Sequence, residues 1–346
     1  FSDTIRFNGS DPDGLHIANG SNDGFLAKYD AHGNYLWSFT LGGNGSDLIR
    51  AINIDNENNL YLMGFITDSV DMDPGPAKHI LHANATDSAH LSRSFILKLD
   101  SAGIFQWAKS YDLHMINLGI NKYNHLLFTA NLPDSAHIFI KSGVQSFYSK
   151  GVNDILFGRM NSKGEIEWIN QIQSDGKIKT SFFEAFANDL DGHFYLCGSF
   201  YNSINLLNSP NDIHHSLGES DGFLCKFDTS GNEIWFKTFG GKNHTFITAI
   251  TLDDSNNLYL GVSPQNRLIK FQSGNGSVYV KSDVEVGYLV QFDANGNFEW
   301  AKELKGRTNI EAIDWNQSND LYSTGGFRYL QYNDSLYIGG WSDIFI

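Results

Sequence analysis

Apolar and polar residues alternate with period two in short runs along the whole chain, and the runs come in pairs. Asp23 to Gly43, "DGFLAKYDAHGNYLWSFTLGG", is one such pair: an alternating run, a turn, and a second run carrying a Trp. Alternation of this kind predicts half-buried β-strands, and the Asp/Asn/Gly cluster between the runs predicts a hairpin turn. No stretch of useful length places apolar residues at i, i+3, i+4 and i+7, so the pattern predicts no helix.

The phrase recurs as "DGFLCKFDTSGNEIWFKTFGG" from Asp221 and "VGYLVQFDANGNFEWAKEL" from Val286. Aligning Trp37, Trp107, Trp168, Trp235 and Trp300 gives separations of 70, 61, 67 and 65 residues. About 20 residues after each Trp stands a second hairpin, as in "IRAINIDNENNLYLMGF" and "ITAITLDDSNNLYLGVS". A third, more variable hairpin lies between this one and the next Trp phrase, as in "SVDMDPGPAKHILHA" and "RLIKFQSGNGSVYVKS". In the second copy strand one is expected at Ala51 to Asp55, strand two from Leu60 to about Met72, strand three from roughly Ile80 to Asp100, and strand four from Phe105 to Tyr111.

A four-stranded meander of about 65 residues cannot cover both of its faces. Copies stacked around an axis cover one another and leave only short edges. The expected fold is therefore all-β, a single β-propeller over residues 1–346 with four-stranded antiparallel blades. About six units are visible: 1–42 (partial), 47–111, 113–173, 181–240, 245–304 and 308–346 (partial). The first starts inside strand two and the last ends in strand three, so the sequence reads as part of a longer chain. The repeated Trp is expected to pack between blades, where burying about 200 Å² stabilises by at most about 5 kcal/mol. In the Asp-x-x-Gly-Asn phrase, Asp is expected to accept nearby backbone N–H groups and Gly to supply a positive φ.

"VDMDPGP" at Val70 to Pro76, with "SFILKLDSAGIFQWAKSYD" after it and the Trp phrases quoted above, resembles the SBBP-type bacterial β-propeller repeat. The copy from Asn153, "NDILFGRMNSKGEIEWINQI", departs from that pattern in having Asn161 for Asp and in losing the Lys. The resemblance covers essentially the whole chain. It implies a secreted or surface protein of Bacteroidetes-type bacteria, exported in a large modular chain by the type IX route, and implies no defined activity.

Composition narrows the partners. A net charge of −15 repels phosphate backbones, so no nucleic-acid partner is expected. No run of 18 apolar residues spans a membrane. The two cysteines, Cys197 and Cys225, suit an extracytoplasmic chain. They fall on neighbouring strands of one copy, and the register that decides whether they can bond is not fixed by sequence.

Chemistry-bearing motifs are sparse. Gly218-Glu219-Ser220-Asp221-Gly222 fits the Gly-x-Ser-x-Gly elbow, but that elbow leads from a strand into a helix. Here a strand follows, and "NGSNDG" holds the same place in the first copy. Asp11 with Asp13, and Asp71 with Asp73, pair carboxylates at loops and are the calcium candidates, though neither has a bidentate Glu at EF-hand spacing. His79, His82 and His90, and adjacent His214 and His215, lack a His-Glu-x-x-His spacing and read as strand residues. The sequence thus yields no catalytic residue, no cofactor motif and no metal site beyond those carboxylates.

The function expected is a non-enzymatic binding or scaffold module at a bacterial cell surface, extracellular or on the outer membrane, with a protein or glycan partner. Recognition is expected at the variable strand two–three tips and four–one loops, because variable loops on a rigid scaffold carry specificity. One alternative is a carbohydrate-active or quinone-dependent propeller enzyme, which would need a column of carboxylates or arginines that the copies do not show. Another is a spacer or subunit docked to an outer-membrane or adhesin complex.

Overall fold

The computed structural model describes residues 1–9, 14–83, 93–179, 186–206, 209, 211–265, 267–273, 276–282, 286–304, 306–316, 320–332 and 335–345. Every regular element among them is a strand, and the described strand pairings are antiparallel apart from three isolated bridges. The chain folds as two compact units. One is Phe1–Ala130 with Met160–Glu165, and the other is Asn131–Arg159 with Ile166–Ile346.

The first unit holds a four-stranded sheet of Leu48–Ile54, Leu60–Ile66, Arg93–Leu99 and Phe105–Tyr111, each strand paired with the next. The second holds its counterpart in Thr245–Leu252, Leu258–Pro264, Gly287–Phe292 and Phe298–Leu304. A third sheet runs through Phe194–Phe200, Asp221–Phe227 and Glu233–Phe239, with Ile178–Lys179 and Phe186–Asn188 both paired to its first strand. Strand two is buried along nearly its whole length, as in Leu60–Ile66, because both faces of a central strand are covered.

Strands two and three are shorter than the alternation predicts. Strand two ends at Ile66, and Ser69–Asp71 pairs with Ile80–His82 as a separate hairpin. The break has a cause at its root: the Thr67 N–H donates to Asp47 Oδ1 (2.9 Å) and the Asn44 N–H to Asp68 Oδ2 (2.8 Å), which take this backbone out of the sheet ladder. Separate hairpins occupy the same place at Thr4–Ile17, Ser135–Tyr148 and Leu268–Lys281, whereas the hairpin of Ser203–Leu206 and His214–His215 also pairs with Ile166–Ser174 of the preceding copy.

One turn is used twice in each of the four copies from Leu48 to Leu304 and once, at Asp30, in the copy before them. At Asp30, Asp100, Asn161, Asp228 and Asp293, between strands three and four, a side-chain oxygen accepts the N–H groups two and four residues on, at 2.7–3.0 Å. Asp55, Asn121, Asp189 and Asp253 do the same between strands one and two. The Asn34 amide also holds exposed Asp30 below the usual carboxylate pKa. The third residue of each turn has positive φ. Asn58, Asn124 and Asn256 adopt it between strands one and two, yet every three–four turn uses Gly.

The repeated Trp explains that difference. The indoles of Trp37, Trp107, Trp168 and Trp235 lie against Gly103, Gly164, Gly231 and Gly296, the turn glycines of the following copy. A Cβ on Gly164 would stand 2.7 Å from Trp107, and one on Gly231 2.8 Å from Trp168. Positive φ alone admits Asn, but this contact leaves no room for any side chain. The indole N–H of Trp107, Trp168 and Trp235 donates to the carbonyls of Ser162, Thr229 and Ala294, each the residue after the turn's Asx, at 3.2–3.4 Å. These rings are half-buried, so hydrogen bonding supplements an area term smaller than full burial would give.

Cys197 and Cys225 are buried and are not joined by a disulfide. The register pairs Cys197 with Leu224 and Leu196 with Cys225, an offset of one that turns the two thiols to opposite faces of the sheet.

The turn glycines give a direct test. Gly33 and Gly164 both have positive φ, +80° and +72°, but nothing stands within 4 Å of a Cβ on Gly33. In urea denaturation, Gly33→Ala is expected to cost about 1 kcal/mol from backbone strain. Gly164→Ala is expected to cost about 2 kcal/mol more through overpacking on Trp107 and the Tyr111 hydroxyl. Equal costs would show that the indole contact does not constrain the turn.

Candidate functional site

The carboxylates singled out as calcium candidates serve hairpin geometry where they are described. Asp71 Oδ1 accepts the Asp73 and His79 N–H groups at 3.2 and 2.9 Å, and Asp73 Oδ1 accepts the Gly75 N–H at 2.7 Å. Asp11, Asp13 and His90 lie outside the described residues. The other histidines are dispersed. His82 bonds Ser69 at 2.7 Å, His79 packs on Phe105, and His214 stacks on Phe236, where burial lowers its pKa.

A group of metal-ligand type that sequence reasoning missed is Asp189, Asp191 and His193, in one strand one–two turn. Its central carboxylate is already committed. Asp189 Oδ1 accepts two backbone N–H groups, while Oδ2 meets His193 Nδ1 at 3.0 Å, the Tyr195 hydroxyl at 3.3 Å and Lys226 Nζ at 3.3 Å. A cation there would have to displace an ammonium. The arrangement repeats at Asp55, where Lys98 stands 3.6 Å away and 4.9 Å above the Tyr61 ring, and at Asp253, bonded by Tyr259. It is an Asp–Tyr pair of the fold, joined by a Lys of strand three at Asp189 and Asp55 and by Gln291, whose amide donates to the Tyr259 hydroxyl at 3.0 Å, at Asp253; its sequence signal is the Tyr of strand two.

The Gly-x-Ser-x-Gly match brings together a serine, a histidine and a carboxylate. Ser220 Oγ lies 3.1 Å from His244 Nδ1, and His244 Nε2 lies 2.7 Å from Glu219 Oε2. A nucleophile must reach its substrate, and Ser220 is 0% exposed. The same positions bridge elsewhere with unrelated chemistry, Asn22 to Ser46 and Asn153 to Lys177. In each case a Gly-x-x-Asp segment ahead of strand three runs beside the loop that enters the next copy. Gly20, Gly151 and Gly218 are required there because a Cβ would overlap that loop's carbonyls.

Beside this bridge opens a cleft of about 590 Å³. The loop Gly240–Asn243 and the hairpin Leu268–Ser273/Gly276–Lys281 line it, with Leu217, Gln265 and Arg267. Alternation on the hairpin sets its chemistry. Ile269, Phe271 and Val280 face the core, so Leu268, Lys270, Tyr279 and Lys281 share the other face, with Lys270 directly opposite Tyr279. Gly240 and Lys270 exchange backbone hydrogen bonds of 2.8 and 3.2 Å, and the Asn243 amide donates to the Gln265 carbonyl at 2.9 Å. Lys242, Arg267 and Lys270 form no ion pair among the described residues.

No protein-family model matches the sequence. The chain is similar to an uncharacterized WD repeat-containing protein of Acanthamoeba polyphaga mimivirus, with 24% identity over 351 residues, 84% of this chain and 25% of the relative. It thus spans about a quarter of that relative's length. A crystal structure of a protein of unknown function from Bacteroides caccae covers 87% of this chain and 92% of its own at 9% identity, with a TM-score of 0.29, too low to bear on the fold.

Asp221 follows Ser220 of the bridge and begins strand three. It is 1% exposed, Oδ2 accepts the Leu217 N–H at 2.9 Å, and Oδ1 has no partner among the described residues. Burial pushes its pKa up to about 6, against the pull of the Leu217 and Gly241 N–H groups. The folded state therefore holds the proton more tightly than the unfolded state. Its stabilising contribution is complete below about pH 4 and is lost as pH rises through about 6. Asp221→Asn should remove this dependence. The stability of the variant relative to the native protein, from urea transitions, should rise by on the order of 2–3 kcal/mol between pH 4 and pH 7 and stay level above. A difference independent of pH would contradict the assignment.

Proposed function

We propose that this chain is a β-propeller of SBBP type that acts as a non-enzymatic binding or scaffold module at a bacterial cell surface, with recognition on its strand two–three hairpins and four–one loops. The observation that carries the reading is the division of labour within each copy. The Asx turns and the Trp–Gly contacts recur from copy to copy, whereas the hairpins share a place and little else. Ser135–Tyr148 presents Phe139, 81% exposed, opposite Val144, while Ser69–His82 presents carboxylates and imidazoles, and Leu268–Lys281 presents lysines and Tyr279. Side chains that stabilise no core and differ from copy to copy are suited to selecting partners.

The repeated units and the WD-repeat relative support the propeller reading. WD-repeat propellers generally bind proteins, which makes a protein partner one expectation and a surface glycan the other. The "VDMDPGP" tip and the Trp phrases support the bacterial surface assignment.

The test is an array of purified extracellular proteins and polysaccharides, probed with the native chain and with variants in which one hairpin at a time is shortened to Asn-Gly. The expected result is retention on at least one immobilised ligand, lost on shortening one hairpin with the urea transition unchanged and no product released. Retention indifferent to every hairpin, or turnover of an arrayed ligand, would overturn the proposal.

A further inference from the structure

We propose that the cleft between Gly240–Asn243 and the Leu268–Lys281 hairpin binds an anionic saccharide, its ring against Tyr279 and its carboxylate or sulfate held by Lys242, Arg267 and Lys270. The inference rests on reading the chain as a binding module and names the ligand class for one of its sites.

Charge is the first argument. The chain carries −15 overall, with 24 Lys and Arg against 39 Asp and Glu, so most of its cations have acids available to them. Three cations line this one concavity without an ion-pair partner among the described residues. Mutual repulsion in a partly enclosed cleft costs stability that an arriving anion restores, and the cleft walls focus the local field.

Shape and surface chemistry come next. Tyr279 is 59% exposed beside the exposed side chains of Leu217 and Leu268, so a flat apolar patch stands next to the cations. A pyranose ring offers apolar C–H groups on one face and hydroxyls at its edge, and Gln265 lines the cleft to meet the latter. A volume of about 590 Å³ falls in the range of small-ligand sites. The site is also preorganised, since the Gly240–Lys270 backbone pair and the buried Ile269 and Phe271 fix the strand that carries Lys270.

An acidic peptide fits less well. A peptide commonly binds by adding a strand to a free sheet edge. Here the edge at Lys270 is closed by Gly240, whose N–H and carbonyl take the hydrogen bonds such a strand would need. Recognition is left to side chains, which suits a ring bearing one charge cluster. A nucleic acid is disfavoured by the net charge of the chain.

Calorimetry on the purified chain tests this with trigalacturonate, a heparin-derived tetrasaccharide, neutral galactotriose and hexaglutamate. One or both anionic sugars should bind saturably, and the two arms separate carboxylate from sulfate recognition. Galactotriose and hexaglutamate should bind at least about tenfold more weakly. Lys270→Glu combined with Arg267→Glu should weaken the anionic sugar by about tenfold or more, and Tyr279→Ala by about fivefold, with melting temperatures unchanged. Absence of binding by either anionic sugar, hexaglutamate binding as tightly as the sugars, or an unchanged affinity in Tyr279→Ala would each overturn the proposal. If these cleft variants are silent while shortening another hairpin abolishes retention on the array, the saccharide site fails and the binding-module reading stands.

Discussion

The packing of a tryptophan indole on the turn glycine of the next copy is the constraint on which the other regularities depend. Trp168 illustrates it: its ring occupies the space a Cβ on Gly231 would need, and its N–H donates to the Thr229 carbonyl at 3.3 Å. That geometry requires the turn to hold one shape, so Asp228 must bind the N–H groups of Ser230 and Asn232, and residue 231 must be Gly with φ of +82°. A weak local preference, the Asx turn, becomes a fixed docking point because a large ring from another copy rests on it. Trp300 is 39% exposed, more than the other four, and its ring partner among the described residues is Tyr259 of its own sheet.

A second junction sits at the opposite end of the strands. Gly218 to Asp221 runs beside Lys242 to Thr245, and the same crossing occurs at Asn22/Ser46 and Asn153/Lys177. Trp37 with Asn22/Ser46, Trp168 with Asn153/Lys177, and Trp235 with Ser220/His244 each register a copy on the next at both ends of its strands. The hairpins between strands two and three abut this second junction, as the Gly240–Lys270 pair shows, and bury one face in the core. Their outward side chains, such as Phe139 and Tyr279, can change without disturbing either junction, which is the physical basis for placing recognition there.

The period-two alternation and the five tryptophans make the strands, the turns and the repeat legible in the chain itself. The limits of that legibility are as physical as its reach. Alternation does not register that Thr67 and Asp68 are drawn away by Asp47 and Asn44, so a broken strand with a separate hairpin reads as one long strand. The neighbours of the Gly-x-Ser-x-Gly serine disclose that no helix follows it, but its bond to His244 joins residues 24 apart and leaves no local signal. Asp189, Tyr195 and Lys226 come from separate segments of one sheet, and only their register unites them. The same holds for Lys242, Arg267 and Lys270: their signs are visible in sequence, but their convergence follows from the Gly240–Lys270 backbone pair. Cys197 and Cys225 fall on adjacent strands by sequence alone, and the offset of one residue that parts them is a tertiary fact.

A double-mutant cycle at Trp168 and Gly231 addresses the coupling between copies most directly, with stabilities taken from urea transitions. If the indole dictates the turn, Gly231→Ala should cost at least about 1 kcal/mol less in a Trp168→Ala background than in the native chain, because the overlap is then gone and only backbone strain remains. Costs that add to within about 0.3 kcal/mol would contradict that coupling.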